Sequence, residues 1–140
     1  MRRSMWSVLA VALVMAATPS VLSAGESEAP AAPELVVVKF HADWCGSCQA
    51  MGDTFENLTA KLDSEPVLFV ELDQTTTADR KQAGFLMNAM DGEAVWGEYG
   101  GKTGFILLLD PQDMAVVGKL TKDMGFKDMV KAIGQARPAA

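Results

Sequence analysis

Val36 to Met51, VVVKFHADWCGSCQAM, is the stretch on which the reading of this chain turns. Its first part belongs to Leu35 to His41 (LVVVKFH), a β-branched run that is apolar at nearly every position, as a strand buried on both faces requires. Directly after it comes Cys45-Gly46-Ser47-Cys48. Behind the cysteines Met51, Phe55, Leu58 and Leu62 step along one stripe and predict a helix over Gly46 to Leu62. Cys45 thus meets the unpaired N–H groups and the positive dipole end of a helix, which favour a thiolate over a thiol. The two-residue gap leaves Cys48 one turn further in, placed to attack a mixed disulfide formed on Cys45. One thiol attacks and the other resolves.

Other readings of the pair stay open at this point. A purely structural disulfide would close a loop of about four residues, worth only about 2 kcal/mol by the chain-entropy argument. Two inert buried cysteines fit poorly at a glycine-containing helix start beside a loop. A metal centre needs more ligands than Cys45, Cys48 and His41 supply, unless a second chain contributes. A copper, zinc or iron–sulfur protein, dimeric through paired Cys45/Cys48, is therefore the first alternative to redox exchange, and a binding module without turnover is the second.

Outward from the cysteines, Val67 to Leu72 (VLFVEL) reads as a second buried strand. Thr76 and Asp79 have capping-box spacing, and Ala83, Leu86, Met87 and Met90 behind them mark a helix. Asp91-Gly92 reads as its glycine C-terminal cap. Glu93 to Thr103, rich in glycine, reads as a loop carrying Trp96 and Tyr99. Phe105 to Asp110 and Ala115 to Leu120, joined through Pro111-Gln112-Asp113, read as an antiparallel hairpin. Phe126, Met129, Val130 and Ile133 give a closing helix. The order β-α-β-α-β-β-α implies an α/β fold, a mixed central sheet with helices on both faces.

The ends read differently. Arg2 and Arg3 precede an uncharged run from Met5 to Ala17, and Leu22-Ser23-Ala24 offers small residues for cleavage, so residues 1–24 are expected to be a signal peptide. The apolar core is shorter than the roughly 20 residues of a spanning helix, although an uncleaved membrane anchor is the alternative. Residues 25–33 (GESEAPAAP) read as a linker, 34–135 as the folded domain and 136–140 as a frayed tail. Export would place both cysteines in a compartment where disulfides persist. The 140 residues carry a net charge of −6, which gives no reason to collect on nucleic acid or anionic lipid. Loss of residues 1–24 takes two arginines and no acid, deepening the charge to −8.

The segment Val36 to Met51 resembles the active-site strand and helix of the thioredoxin superfamily, and Ala-Asp-Trp-Cys is similar to exported members. Among these is the periplasmic C-terminal domain of membrane thiol:disulfide interchange proteins. The resemblance runs from about Leu35 to Ile133 and is densest in Phe40 to Cys48. It implies a thioredoxin-like fold, Cys45 as nucleophile, Cys48 as resolving cysteine, Trp44 as the aromatic flanking the thiol, and Gly46 and Ser47 as the residues that tune the potential. No bound cofactor is implied. The implied partners are protein disulfide or dithiol substrates and a membrane redox partner, the implied location is the periplasm, and reduction is the favoured direction.

Three departures qualify that inheritance. Gly46-Ser47 stands where Gly-Pro is common, so the redox potential does not carry over. Lys39 stands where many relatives bury an acid; Glu71 on the neighbouring strand is the candidate partner of a lysine that is costly to bury alone, the alternative being a Lys39 that snorkels to the edge of the sheet. The stretch Lys102-Thr103-Gly104-Phe105 has no proline where relatives carry a cis-proline, so a trans peptide is expected at Gly104. Thr103 and Gly104, with Trp96 and Tyr99, are the expected walls of a substrate groove, the alternative for the two aromatics being to cover the sheet. His41 is expected as a packed ring, with a proton-donor role as the alternative.

Overall fold

The computed structural model describes residues 30–138; the expected signal peptide and the first part of the linker lie outside the described residues. β1 (Leu35–His41) is the centre of the molecule, and every residue along it except His41 is buried. It pairs in parallel with β2 (Val67–Asp73), Lys39 opposite Glu71, and antiparallel with β3 (Phe105–Leu109), Phe40 opposite Phe105. β4 (Val116–Thr121) continues the sheet antiparallel to β3, in the order β2-β1-β3-β4.

Alternation along β1 and β3 divides the core in two. Val36, Val38 and Phe40, with Phe105, Leu107 and Leu109, face α3 (Thr77–Ala89) and α4 (Glu93–Tyr99), and Ala83, Met87 and Val95 pack there. Leu35 and Val37, with Ile106 and Leu108, face α1 (Gly46–Met51), α2 (Thr54–Lys61) and α5 (Phe126–Ala136) through Met51, Phe55, Leu58, Met129 and Ile133. Each fully buried aliphatic of this set stabilises the fold by about 1.5–3 kcal/mol. The thioredoxin-like α/β arrangement expected from the sequence is the one present.

Several local expectations are corrected. The single helix over Gly46 to Leu62 is two, because Gly52 adopts φ +48° and ends α1. Met51, Phe55 and Leu58 nevertheless reach the same core. β2 is an edge strand, with Leu68 and Glu71 exposed, rather than a buried one. Glu93 to Tyr99 is helical where a loop was expected. Gly84 lets α4 come close, since a Cβ there would lie 3.0 Å from the Trp96 ring. After α3 the left-handed residue is Asp91 (φ +60°), while Gly92 caps the start of α4. Ala136 is the last residue of α5, and Arg137 bonds Glu34 and Glu65, so these two positions of the expected tail are structured. Among the described residues no helix is long and apolar enough to cross a membrane.

Candidate active site

The chain leaves β1 at His41 and turns through Ala42, Asp43 and Trp44 into α1. Asp43 accepts from Gln49 through its carbonyl, Nε2 to O 2.8 Å, and the Asp43 N–H donates to the Thr75 hydroxyl at 3.0 Å. Thr75 in turn donates to Asp73 from both its hydroxyl (2.6 Å) and its backbone (2.8 Å). The hydroxyl bond is the main reason the Asp73 carboxyl sits below its ordinary value. Trp44 is 62% exposed, yet its indole N–H donates to the Thr75 carbonyl at 3.0 Å, so the ring is pinned while open to solvent.

Cys45 is the N-cap of α1, and its Sγ accepts the Cys48 N–H at 3.1 Å. Cys45 and Cys48 are joined as a disulfide, their Cα atoms 5.2 Å apart. With Ala42 they form a small cluster separate from both main cores. The pair is nearly covered: Cys45 keeps 6% of its surface and Cys48 3%. The reason is the chain across the sheet end, where Gly104 (φ +90°) donates to the Phe40 carbonyl at 2.8 Å. A Cβ at Gly104 would sit 2.6 Å from Ser47 Cβ and 3.2 Å from Cys45 Sγ, so only glycine permits this approach. No peptide bond among the described residues is cis, Gly104 included.

Lys39 is 5% exposed and shares the parity of Leu35 and Val37, so it points into the α1/α2/α5 side. Its Nζ lies 3.1 Å from Glu71 Oε2 and 3.4 Å from Glu56 Oε1, and 5.3 Å from the centre of the Phe55 ring. Glu56, in the first turn of α2 and 57% exposed at its side chain, is a partner the sequence reading did not name. His41 bonds Asp43 through Nε2 at 3.2 Å, while its buried Nδ1 has no partner among the described residues.

Trp96 packs on α3 at Gly84, and Tyr99 packs on Phe40 and Phe105 with ring centres 6.2 and 5.7 Å away. Both therefore cover the sheet, the alternative to their expected role as groove walls. Half-buried Thr103 precedes Gly104 beside the cysteines. A residue that sequence reasoning missed completes the site. Gln74, 5% exposed, accepts the Gly101 N–H at 2.6 Å and donates to the Lys102 carbonyl at 2.9 Å, while its own backbone N–H donates to His41 O at 2.8 Å. A lone glutamine before three threonines carries no sequence signal of burial.

The family model described as thioredoxin matches residues 25–85, a span that contains β1, the cysteine pair, α1, α2, β2 and the first part of α3. The match covers somewhat less than half of the 140 residues and is a likeness of this segment to thioredoxin. The chain is 45% identical over 49 residues to the thioredoxin of Ictalurus punctatus, covering 35% of this chain and 46% of that one. It is 34% identical over 64 residues to a protein designated a disulfide-isomerase in Schizosaccharomyces pombe, covering 46% of this chain and 13% of that one. The chain thus matches less than half the length of either relative. Among solved structures, MTB DsbF, in its mixed oxidized and reduced forms, superposes with a TM-score of 0.50 at 17% identity, over 75% of this chain and 82% of that one, a likeness of fold.

Proposed function

We propose that the chain is a thiol–disulfide oxidoreductase acting on protein substrates in the bacterial periplasm, with reduction as its direction. The observation that carries the reading is the Cys45–Cys48 disulfide at the head of α1, in a small buried cluster of its own with the Gly104 backbone laid against Cys45. In the dithiol form the Cys45 thiolate attacks one sulfur of a substrate disulfide. A Cys45–substrate bond forms, the substrate S–S bond breaks, and the departing thiolate takes a proton. Cys48 then loses its proton, attacks Cys45 Sγ and expels the second substrate thiol. Two electrons have passed to the substrate, and the chain is left in the oxidised form described above. A dithiol donor, which we assign to a membrane partner, restores it.

Cys45 takes the attacking role because it has the larger opening and caps the helix, where the Cys48 N–H already points at its sulfur. Lys39 with Glu71 and Glu56 is proposed to serve proton movement at Cys48 in place of the acid that relatives bury. Its chain neighbour Phe40 supports this, with a carbonyl oxygen 3.8 Å from Cys48 Sγ. Residues 1–24 are proposed as the cleaved export signal.

Titration of Cys45/Cys48 against glutathione tests the direction. A potential near the about −270 mV of thioredoxin supports a reductase, and one near the about −120 mV of a strong oxidant reverses the assignment. Amino-terminal sequencing of the periplasmic protein, expected to begin at Gly25, tests export; a chain still carrying residues 1–24 overturns cleavage.

A further inference from the structure

We infer that Gln74 is a positioning residue for substrate docking: it fixes the 101–104 backbone against Cys45 and thereby sets access to the reactive sulfur. This rests on the proposed exchange activity for its meaning, but on geometry for its content. Two arms of chain enclose the cysteine pair. One is the exit of β1 from His41 to Cys45, and the other is the segment from Gly101 to Gly104. Gln74 touches both. Its backbone N–H holds His41, and its side-chain amide spends its acceptor on Gly101 and a donor on Lys102.

The second arm has little else to hold it. Lys102 donates to Tyr99 within the same turn, which shapes the turn without fastening it to the sheet. The Arg80 guanidinium lies over Gly101, where a Cβ would be 2.6 Å from Nη2, but Arg80 is exposed at its surface end. Gly104 itself is fastened by one hydrogen bond to Phe40. Removing the Gln74 amide takes the partner from the Gly101 N–H and the Lys102 carbonyl; both residues are exposed, so water takes its place and the tie to the sheet is lost. Loss of that tie lets Thr103 and Gly104 move away from Cys45. The chain segment a substrate must lie on is then no longer preformed, and the ordering cost falls on binding.

The test uses reduced full-length protein with Gln74→Met, which keeps the length and loses both polar groups, and Gln74→Glu. Gln74→Met is expected to be alkylated at Cys45 by iodoacetamide about tenfold faster than wild type. It should also show KM for a protein disulfide raised about tenfold with kcat within about twofold, the scale of two lost hydrogen bonds. In Gln74→Glu the carboxylate accepts from Gly101 but repels the Lys102 carbonyl. Once protonated it offers one acceptor and one donor, as glutamine does. Its KM relative to wild type at the same pH should therefore return toward one as the pH is lowered. A purely structural role lowers the melting temperature without this pH-dependent return. Wild-type alkylation and KM in folded Gln74→Met overturn the inference, as does a Gln74→Glu deficit that is flat with pH. If wild type exchanges no disulfide, the functional reading fails separately, while the alkylation rates still decide the role of Gln74.

Discussion

The two ends of the sheet are fastened by different physics. At the cysteine end the ties are short and mostly neutral, and they run to backbone: Gln74 to Gly101 and Lys102, Trp44 to Thr75, Gly104 to Phe40. At the opposite end Arg137 donates to Glu34 at 2.8 and 2.9 Å and also to Glu65, joining the exit of α5 to the starts of β1 and β2. A groove of about 540 Å³ with Pro33, Val36, Leu68 and Met114 in its walls also lies there, away from the sulfurs. Long charged side chains tolerate displacement of an ångström or more, and they weaken with salt. Backbone-directed bonds fix position, and reaction geometry needs position.

The largest expected effect is chemical. Cys45→Ser should abolish exchange, whereas Cys48→Ser should leave Cys45 able to attack and so accumulate a mixed disulfide, visible by mass spectrometry. Accumulation on Cys48 in the Cys45→Ser protein would exchange the two roles. Next, Gly104→Ala should cost about 1–3 kcal/mol in denaturant unfolding and depress exchange, because a Cβ meets Ser47 at φ +90°. If stability and rate both hold, the cysteine end is not position-controlled and the contrast between the ends collapses.

Smaller effects sharpen the contrast. Lys39→Met should change stability by about 1 kcal/mol or less, since buried ion pairs roughly break even against apolar residues of similar volume. Its pH–rate profile should shift if Lys39 serves Cys48, and an unchanged profile removes that role. At the far end Arg137→Ala should cost at most about 1 kcal/mol, lessened by added salt, with exchange kinetics unaffected. Smallest is the Asp73–Thr75 contact. The Asp73 carboxyl is lowered by the Thr75 hydroxyl, so its stabilising contribution is complete above the ordinary carboxylate value and lost as pH falls through the lowered one. Thr75→Val should raise the Asp73 titration midpoint seen by NMR and weaken this acid-side dependence.

What the sequence disclosed follows from what is local. β1 and β3 are legible because burial on both faces leaves an uninterrupted apolar run. The α3 start is legible because a capping box is a four-residue event, with Thr76 and Asp79 bonded reciprocally. The cysteine pair was legible because strand, cysteines and helix adjoin. Features that depend on distant chain were not. Nothing in VLFVEL says that the strand has a neighbour on one side only, and Leu68 is exposed for that reason. Gly52 was hidden inside a continuous apolar stripe, which two helices satisfy as well as one. Four glycines between Gly92 and Gly101 masked α4, though Gly84 in another helix is what admits it. The Gln74 side chain acts on a segment some 27 residues away.

One sulfur in this molecule has two occupations. Cys45 Sγ closes the first turn of α1 by accepting the Cys48 N–H, and in the proposed exchange the same atom changes its covalent partner at every step. A negatively charged sulfur accepts that proton more strongly than a bonded one. The amide resonance of Cys48 should therefore move each time electrons are gained or lost, giving a spectroscopic gauge of oxidation state that needs no label.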